Sequence, residues 1–315
     1  DLMSIQSLSI HLWELCGYKL GNPILQTGIS PNRSRLKKMK DFFFGVYYVS
    51  AFTLNKVDLK KICSRLLRNE KYTLVGYPST LNIISEYVIE NNIKLRLKNV
   101  IGLGDKLFDH YKNNIQQAFG CKIHETYGSS EGFQIGFQAD LDYMYLYTPQ
   151  VYMELLDDND NPVKEGEIGN VVVTRLDNKH MPLIRYKLGD LAIMLPKEKY
   201  PTNRKFNFPL IEKVIGRNTD VVILPDNRKL IVHSFTGIFE YIPEIKQFKI
   251  IQKNKKSITV QFISDDNFTK EVLKNINQKL QKIINNNDFK IYFEEVSEIE
   301  GTKSGKPQII ESYIT

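Results

Sequence analysis

Apolar residues recur at Ile5, Leu8, Leu12 and Leu15, the spacing of one helix face. Gly17 and Gly21 break that pattern, and Ile24-Leu25-Gln26-Thr27-Gly28 reads as a short buried strand. The same alternation continues for about a hundred residues. Arg33 to Phe44 is helix-like, and Val46 to Phe52 is rich in β-formers. Asp58 is placed to cap a helix running to Asn69. Tyr72 to Gly76 reads as a strand, with Ser79 placed to cap the helix that follows, up to about Asn91. Asn99 to Gly104 is a strand into a loop, Lys106 to Phe119 a helix, and Cys121 to Glu125 a strand. Repeated β–α units of this length predict a doubly wound parallel sheet, an α/β fold whose ligands bind at the carboxyl ends of the strands.

From about residue 140 helical periodicity gives way to short strands, at Val151–Leu156, Gly169–Thr174 and Asp190–Leu195, separated by polar turns. This predicts a β-rich, barrel-like subdomain over 140–216, completing with 1–139 the large domain. Residues 217–315 change again. A hairpin around Pro225-Asp226-Asn227 leads into a helix, two strands joined by Lys253-Asn254-Lys255-Lys256, a long helix from Thr269 to Asn285, and a strand at Phe289–Phe293. That predicts a small α+β domain, with the boundary at Gly216-Arg217.

The 315 residues carry a net charge of +7, which brings nucleic-acid binding into consideration. The densest basic stretch, Arg33 to Lys71, holds 11 Lys/Arg against 3 Asp/Glu. Those residues fall on the polar faces of amphipathic helices, so a solvated surface accounts for them without nucleic acid. Three scattered cysteines, Cys16, Cys63 and Cys121, form no zinc pattern and no disulfide framework, which suits a reducing cytoplasm. No apolar run is long enough for a membrane span, and the start has no signal-peptide pattern.

Four segments carry candidate chemistry. Tyr127-Gly128-Ser129-Ser130-Glu131-Gly132 follows a strand. Its glycines permit a tight turn and close approach to a ligand, its hydroxyls and amides suit phosphate oxygens, its tyrosine suits a base, and Glu131 suits Mg2+. A plain polar turn is the competing explanation. Asp190, after Gly189, suits a ribose diol, although a Gly-Asp turn is common. Arg217, at the joint between domains, suits ribose or phosphate, or a linker salt bridge. Lys306, on a glycine-containing loop, suits developing negative charge, or a solvated tail.

Taken together, in this order and over essentially the whole chain, these segments resemble the adenylate-forming superfamily of acyl-CoA synthetases, above all the phenylacetate–CoA ligase family and its capsule-biosynthesis relatives. Tyr127–Glu131 resembles the YGxSE motif, Tyr186–Asp190 the YxxGD motif, Gly216–Asp220 the GRxxD hinge, and Ser304-Gly305-Lys306 the motif of the C-terminal catalytic lysine. The resemblance implies that Tyr127 stacks on adenine with help from Gly104-Asp105. It implies that Gly128, Ser129 and Ser130 touch phosphate or acyl-adenylate, Glu131 holds Mg2+, and Asp190 binds ribose with Arg217 nearby. Lys306 would bridge carboxylate and α-phosphate as a catalytic residue. ATP, AMP, Mg2+ and coenzyme A are the implied cofactors and substrates, a carboxylic acid the implied small-molecule partner, and a homodimer an assembly to consider.

Three departures stand out. The family's Ser/Thr/Gly-rich phosphate loop has no counterpart, and the chain opens at the helix that follows it there; it reads as cut short, or as lacking normal ATP cradling. Asp105 stands where the family often has Glu, and Thr219 where a charged hinge residue is usual. The cysteine-rich segment of some phenylacetate–CoA ligases is absent. The leading expectation is therefore an acyl-adenylate-forming ligase. Its acyl pocket would be lined from Tyr47–Phe52, Gly76-Tyr77-Pro78 and Phe133–Phe137, with Tyr77 and Phe133 as the residues named for it, though core packing explains the same side chains. The alternative is a catalytically impaired nucleotide- or partner-binding module of the same fold, in capsular polysaccharide biosynthesis.

Overall fold

In a computed structural model, residues 2–28, 34–50, 54–178, 182–217, 221–226, 228–239, 241–286, 288–299 and 309–314 are described. Contacts divide the chain into two units. The first comprises Asp1–Glu167, Val172–Leu188 and Ile193–Lys213, and the second Ile168–Val171, Gly189–Ala192 and Val214–Thr315.

The near-continuous apolar runs of the first unit become strands covered on both faces. They are β1 (Ile24–Gly28), β2 (Val46–Ser50), β3 (Thr73–Gly76), β4 (Asn99–Leu103) and β5 (Ile123–Gly128), paired in parallel in the order β2-β1-β3-β4-β5. The helices are α1 (Leu2–Leu15), α2 (Arg35–Phe43), α3 (Lys56–Leu66), α4 (Pro78–Glu90) and α5 (Asp109–Phe119). On one face Leu25, Leu74 and Val100 pack with Ile62, Leu81 and Phe119 of α3, α4 and α5. On the other, Ile24, Val75 and Ile101 pack with Leu12 and Cys16 from α1 and its end. The sheet is thus doubly wound, as the alternating pattern predicts.

The rest of the sheet is antiparallel: β6 (Gln134–Phe137), β7 (Met144–Leu146), β8 (Val151–Leu156), β9 (Ile168–Arg175), β10 (Tyr186–Met194) and β11 (Leu210–Arg217). β6 pairs with β5, and the order continues β5-β6-β7-β11-β10-β9-β8, making eleven strands in one mixed sheet. The β-rich segment is therefore hydrogen-bonded onto the parallel part.

Several local expectations are corrected. Asn55, not Asp58, caps α3: its Oδ1 accepts from the amides of Val57 (2.9 Å) and Asp58 (3.0 Å). Asp58 lies one turn in, where an acidic side chain still suits the helix dipole. Ser79 does not cap α4; Tyr77 is the N-cap, and Pro78 fills the first helical position, where a missing N–H costs nothing. α5 begins at Asp109, three residues later than expected. β5 runs on through Tyr127 and Gly128, because the antiparallel β6 supplies partners for both, with an irregularity between them.

In the second unit, β12 (Val221–Ile223) and β13 (Lys229–Ile231) form an antiparallel ribbon before α6 (Val232–Phe239). β14 (Ile245–Asn254), β15 (Ser257–Ser264), β16 (Lys290–Glu295) and β17 (Ile310–Ser312) form a sheet in the order β16-β15-β14-β17. α7 (Lys270–Ile284) is capped by Thr269, whose hydroxyl accepts from Val272 N, and it ends at Asn285 in the left-handed conformation. Ile276, Leu280 and Ile284 line one side of α7 and meet Ile250, Ile258 and Val260 of the sheet in a separate core.

Candidate functional site

The carboxyl ends of β3, β4 and β5 lie along one edge of the parallel sheet, where α/β folds place their ligands. β4 leads into Gly104, whose φ of +76° is open to glycine at little cost. A Cβ there would stand 2.9 Å from Cε1 of Tyr77, so the absence of a side chain is also what admits that ring. Asp105 accepts hydrogen bonds from both the amide (3.2 Å) and the hydroxyl of Ser79. It thereby satisfies one of the free amides at the start of α4 and ties β4 to the β3–α4 turn. Burial, with Tyr48 and Asp105 nearby, raises the Tyr77 phenol above its ordinary value.

Beyond β5 the chain turns tightly. Ser129 N donates to Phe133 O and Gly132 N to Ser129 O, both at 3.0 Å. Tyr127 is half-buried and opposite Gly136, whereas Gly128, Ser130 and Glu131 are exposed. Ser129 Oγ is shielded from solvent and has no hydrogen-bond partner among the described residues. A buried hydroxyl left this way costs about 1–3 kcal/mol, which a ligand oxygen would recover. Glu131 Oε1 accepts from the Tyr186 hydroxyl at 3.1 Å, which fixes the carboxylate while leaving it accessible.

The loop is held from behind by residues that sequence reasoning missed. Gln150 is 2% exposed; its Oε1 accepts from Gln134 N at 2.7 Å, and its Nε2 donates to Gly132 O (3.3 Å) and Asp177 (3.1 Å). Arg175 donates to Asp177 at 2.6 Å and to Glu131 O at 3.3 Å, with its guanidinium 6.0 Å from the Phe133 ring. Burial alone would raise the Asp177 carboxyl, but the bonds from Arg175 and Gln150 and the Arg175 charge bring it below the ordinary carboxylate range. Phe133 is fully buried and lies parallel to Tyr186 with ring centroids 6.3 Å apart, so it supports the loop from within. No spacing rule links residues 131, 150, 175 and 177; antiparallel pairing alone brings them together.

A further missed group is Glu125, two residues before Tyr127 on β5. Burial pushes its carboxyl up to about 7, opposed by the charges of Lys112 and Lys106 and reinforced by Asp105. Lys106 itself lies with its ammonium 5.6 Å from the Phe108 ring.

Tyr77, Gly104, Asp105 and the Tyr127–Glu131 turn therefore share one edge of the first unit. Asp190, half-buried within β10, and Arg217, at the end of β11, belong to the second unit. Gly216, just before Arg217, has φ +128° and nothing within 4 Å of where a Cβ would stand. Lys306, Thr219 and the Ala51–Phe52 end of the expected acyl wall lie outside the described residues.

A nucleotide fits this edge: Ser129 Oγ is a ready partner for a phosphate or acyl oxygen, and the aromatic Tyr127 stands beside the Gly104 turn. The described residues include no group of three or more His, Cys, Asp or Glu able to hold a metal. Glu131 thus fits only a Mg2+ that brings its remaining ligands from phosphate and water. No described helix is long and apolar enough to cross a membrane.

Residues 222–312 match the family model for the CapK C-terminal domain. The chain is 27% identical to Protein CapK of Staphylococcus aureus over 265 residues, covering 82% of this chain and 56% of that protein. It is 29% identical to a phenylacetate–coenzyme A ligase of Pseudomonas putida over 163 residues, covering 50% of this chain and 34% of that protein. The chain thus spans about half the length, or less, of these curated relatives. Among solved structures, 2-hydroxyisobutyryl-CoA ligase in its postadenylation state superposes with a TM-score of 0.74 at 15% identity, over 98% of this chain and 69% of that one. The resemblance is borne out at the level of fold: this chain has the fold of these acyl-CoA ligases, and its residues 222–312 are similar to the CapK C-terminal domain.

Proposed function

We propose that this chain functions in an ATP-dependent ligase that activates a carboxylic acid as acyl-AMP and passes the acyl group to a thiol, with coenzyme A the favoured acceptor. The observation that carries this reading is the turn after β5, where a solvent-shielded Ser129 hydroxyl without a partner sits two residues from a carboxylate held by Tyr186. Packing alone has no use for that combination.

In this reading a carboxylate oxygen of the acid attacks the α-phosphorus of ATP and pyrophosphate leaves; thiolate attack on the acyl carbonyl then releases AMP. Mg2+ offsets phosphate charge when bound, with Glu131 as its protein ligand. Tyr127 stacks on adenine beside Gly104 and Asp105. Gly128, Ser129 and Ser130 face the phosphate or acyl-adenylate, and Tyr77 contributes to the acyl wall with Phe133 behind the loop. Asp190 and Arg217 hold the ribose, and Lys306 neutralises charge between carboxylate and α-phosphate. Residues 217–315 act as the small domain that delivers Lys306. The fold of the structural neighbours, and the acyl-adenylate bound in one of them, support this assignment.

The test is acid-dependent pyrophosphate release from ATP and Mg2+ with a panel of aryl and aliphatic acids, on this chain and on its full reading frame. Release in either supports the ligase. AMP binding with no release in both would replace it with a nucleotide-binding module of the same fold.

A further inference from the structure

Gln26 occupies an inner position of the parallel sheet. On β1 it stands between Tyr48 of β2 and Val75 of β3, so all three side chains leave the same face. That face is the one covered by α1, where Ile24, Val75 and Ile101 belong to an apolar cluster. Strands covered on both faces are normally apolar throughout, and a glutamine there is out of place unless something polar meets it. Gln26 is half-buried, and no hydrogen bond joins its side chain to a described residue. Its amide is not sealed from solvent as Ser129 Oγ is, so it borders open space.

That space leads toward the carboxyl end of β1. The next residue on this face is Gly28, where a Cβ would collide with the Tyr48 hydroxyl. The hydroxyl therefore lies over Gly28, on the same side of the sheet as Gln26. Burial, and after it the nearby Tyr48, raise the Tyr77 phenol, and the Tyr77 ring packs against Gly104. Gln26, Tyr48 and Tyr77 thus form a polar wall that runs from inside β1 to the Gly104 turn. Tyr47 takes no part in it. That ring points to the opposite face, where the Arg65 guanidinium lies 4.0 Å from it.

A pocket for a plain aryl or alkyl tail would be apolar along this wall. Such a tail would strip the Gln26 amide of water and offer it no hydrogen bond in return. An ionised tail is no better suited, because none of the three side chains carries a charge to meet it. A hydroxyl or an amide meets both conditions, since glutamine and tyrosine each donate and accept.

We propose that the acid activated at this edge carries an uncharged hydrogen-bonding group, a hydroxyl or an amide, on its tail, and that Gln26 selects it with Tyr48 alongside. This rests on the carboxylic-acid activation proposed above and names the class of acid.

The experiment uses the full reading frame and acids in matched pairs. The pairs are para-hydroxyphenylacetic with para-methylphenylacetic acid, ω-hydroxyhexanoic with heptanoic acid, and adipamic acid with its isopropyl isostere. In at least one pair the wild type should favour the polar member about tenfold in kcat/KM for pyrophosphate release, the scale of one hydrogen bond made against one left unmade. Gln26→Leu and Gln26→Met keep the bulk and remove the amide. Both should erase or reverse that preference, with KM for ATP nearly unchanged. A wild type that favours the polar member of no pair, or a preference that survives both replacements, would overturn the assignment. Inactivity of the wild type with every acid would overturn the ligase reading instead. Calorimetric binding of the same pairs then decides the role of Gln26. Tighter binding of a polar member that is lost in Gln26→Leu would support it, whereas equal binding within every pair, or no binding at all, would refute it.

Discussion

Replacing Glu125 with Gln should stabilise the first unit, and more so at alkaline pH. The native carboxyl is pushed from its ordinary 4.5 to about 7, chiefly by burial on β5. An acid whose native pKa is raised favours folding only while protonated. Its ionised form therefore destabilises the native state as pH rises through the interval between 4.5 and about 7. At about 1.4 kcal/mol per pH unit, the full penalty is about 3 kcal/mol above pH 8 and less than about 1 kcal/mol at pH 5. Glutamine keeps the shape and carries no charge, so Glu125→Gln should recover those amounts. Trp13, the only tryptophan in the chain, lies in α1 of the first unit and reports its unfolding by fluorescence. Urea titrations of both proteins at pH 5 and pH 8.5 give the difference directly, and other titrating groups such as His110 and His124 cancel in the subtraction. A variant whose advantage does not grow with pH, or that is less stable at pH 8.5, would refute the burial argument and show that Lys106 and Lys112 keep the carboxylate charged.

Four other outcomes follow from the site. Ser129→Ala should leave stability equal or raised by up to about 1–3 kcal/mol, by removing an unsatisfied buried hydroxyl, while lowering acyl-AMP formation; a fall in both the urea midpoint and the rate would contradict this. Arg175→Met removes one hydrogen-bonding partner from the solvent-exposed Asp177 and should cost about 1 kcal/mol or less at pH 7. Because Asp177 is held below its ordinary value, that cost should shrink as pH falls through the native titration, as followed by urea midpoints from pH 7 to pH 3. Gly104→Ala should cost more than about 1 kcal/mol from backbone strain and the Tyr77 contact, read as a drop in Tm. Lys306→Ala should abolish acyl-AMP formation yet spare AMP binding, whereas Asp190→Ala should weaken AMP binding itself, as isothermal titration would resolve.

The parallel half of the sheet was legible because strands covered on both faces are written as apolar runs, Leu74-Val75 and Val100-Ile101 among them. The caps were less so. Asp58 read as the cap of α3, and only the backbone angles at Asn55 and the bonds to its side chain move the cap three residues earlier. Ser79 looked like a cap, yet Pro78 had already taken the first helical position, which left the Ser79 amide and hydroxyl to Asp105. The YGSSE turn was legible as a string, but its support was not. Gln150, Arg175 and Asp177 are ordinary polar residues in sequence and acquire meaning only when β6, β8 and β9 fold back behind the turn. Glu125 escaped notice for a related reason. Nothing in a strand of alternating residues says that one carboxyl will be closed in by α5 and the β4 turn. β17 was missed because three residues are too few to show a period.

Gly104 and Gly216 look alike in the sequence, yet they would record the passage of mutations differently. At Gly104 both torsion and volume exclude a side chain, so harm should grow with the size of the substituent. At Gly216 there is room for a Cβ, and the φ of +128° is the whole obstacle. Alanine, serine and leucine should therefore be about equally costly there. A substitution series that is flat in volume would mark this position as selected for handedness of the chain, and a homologous sequence with another residue at 216 must have rebuilt the backbone around it.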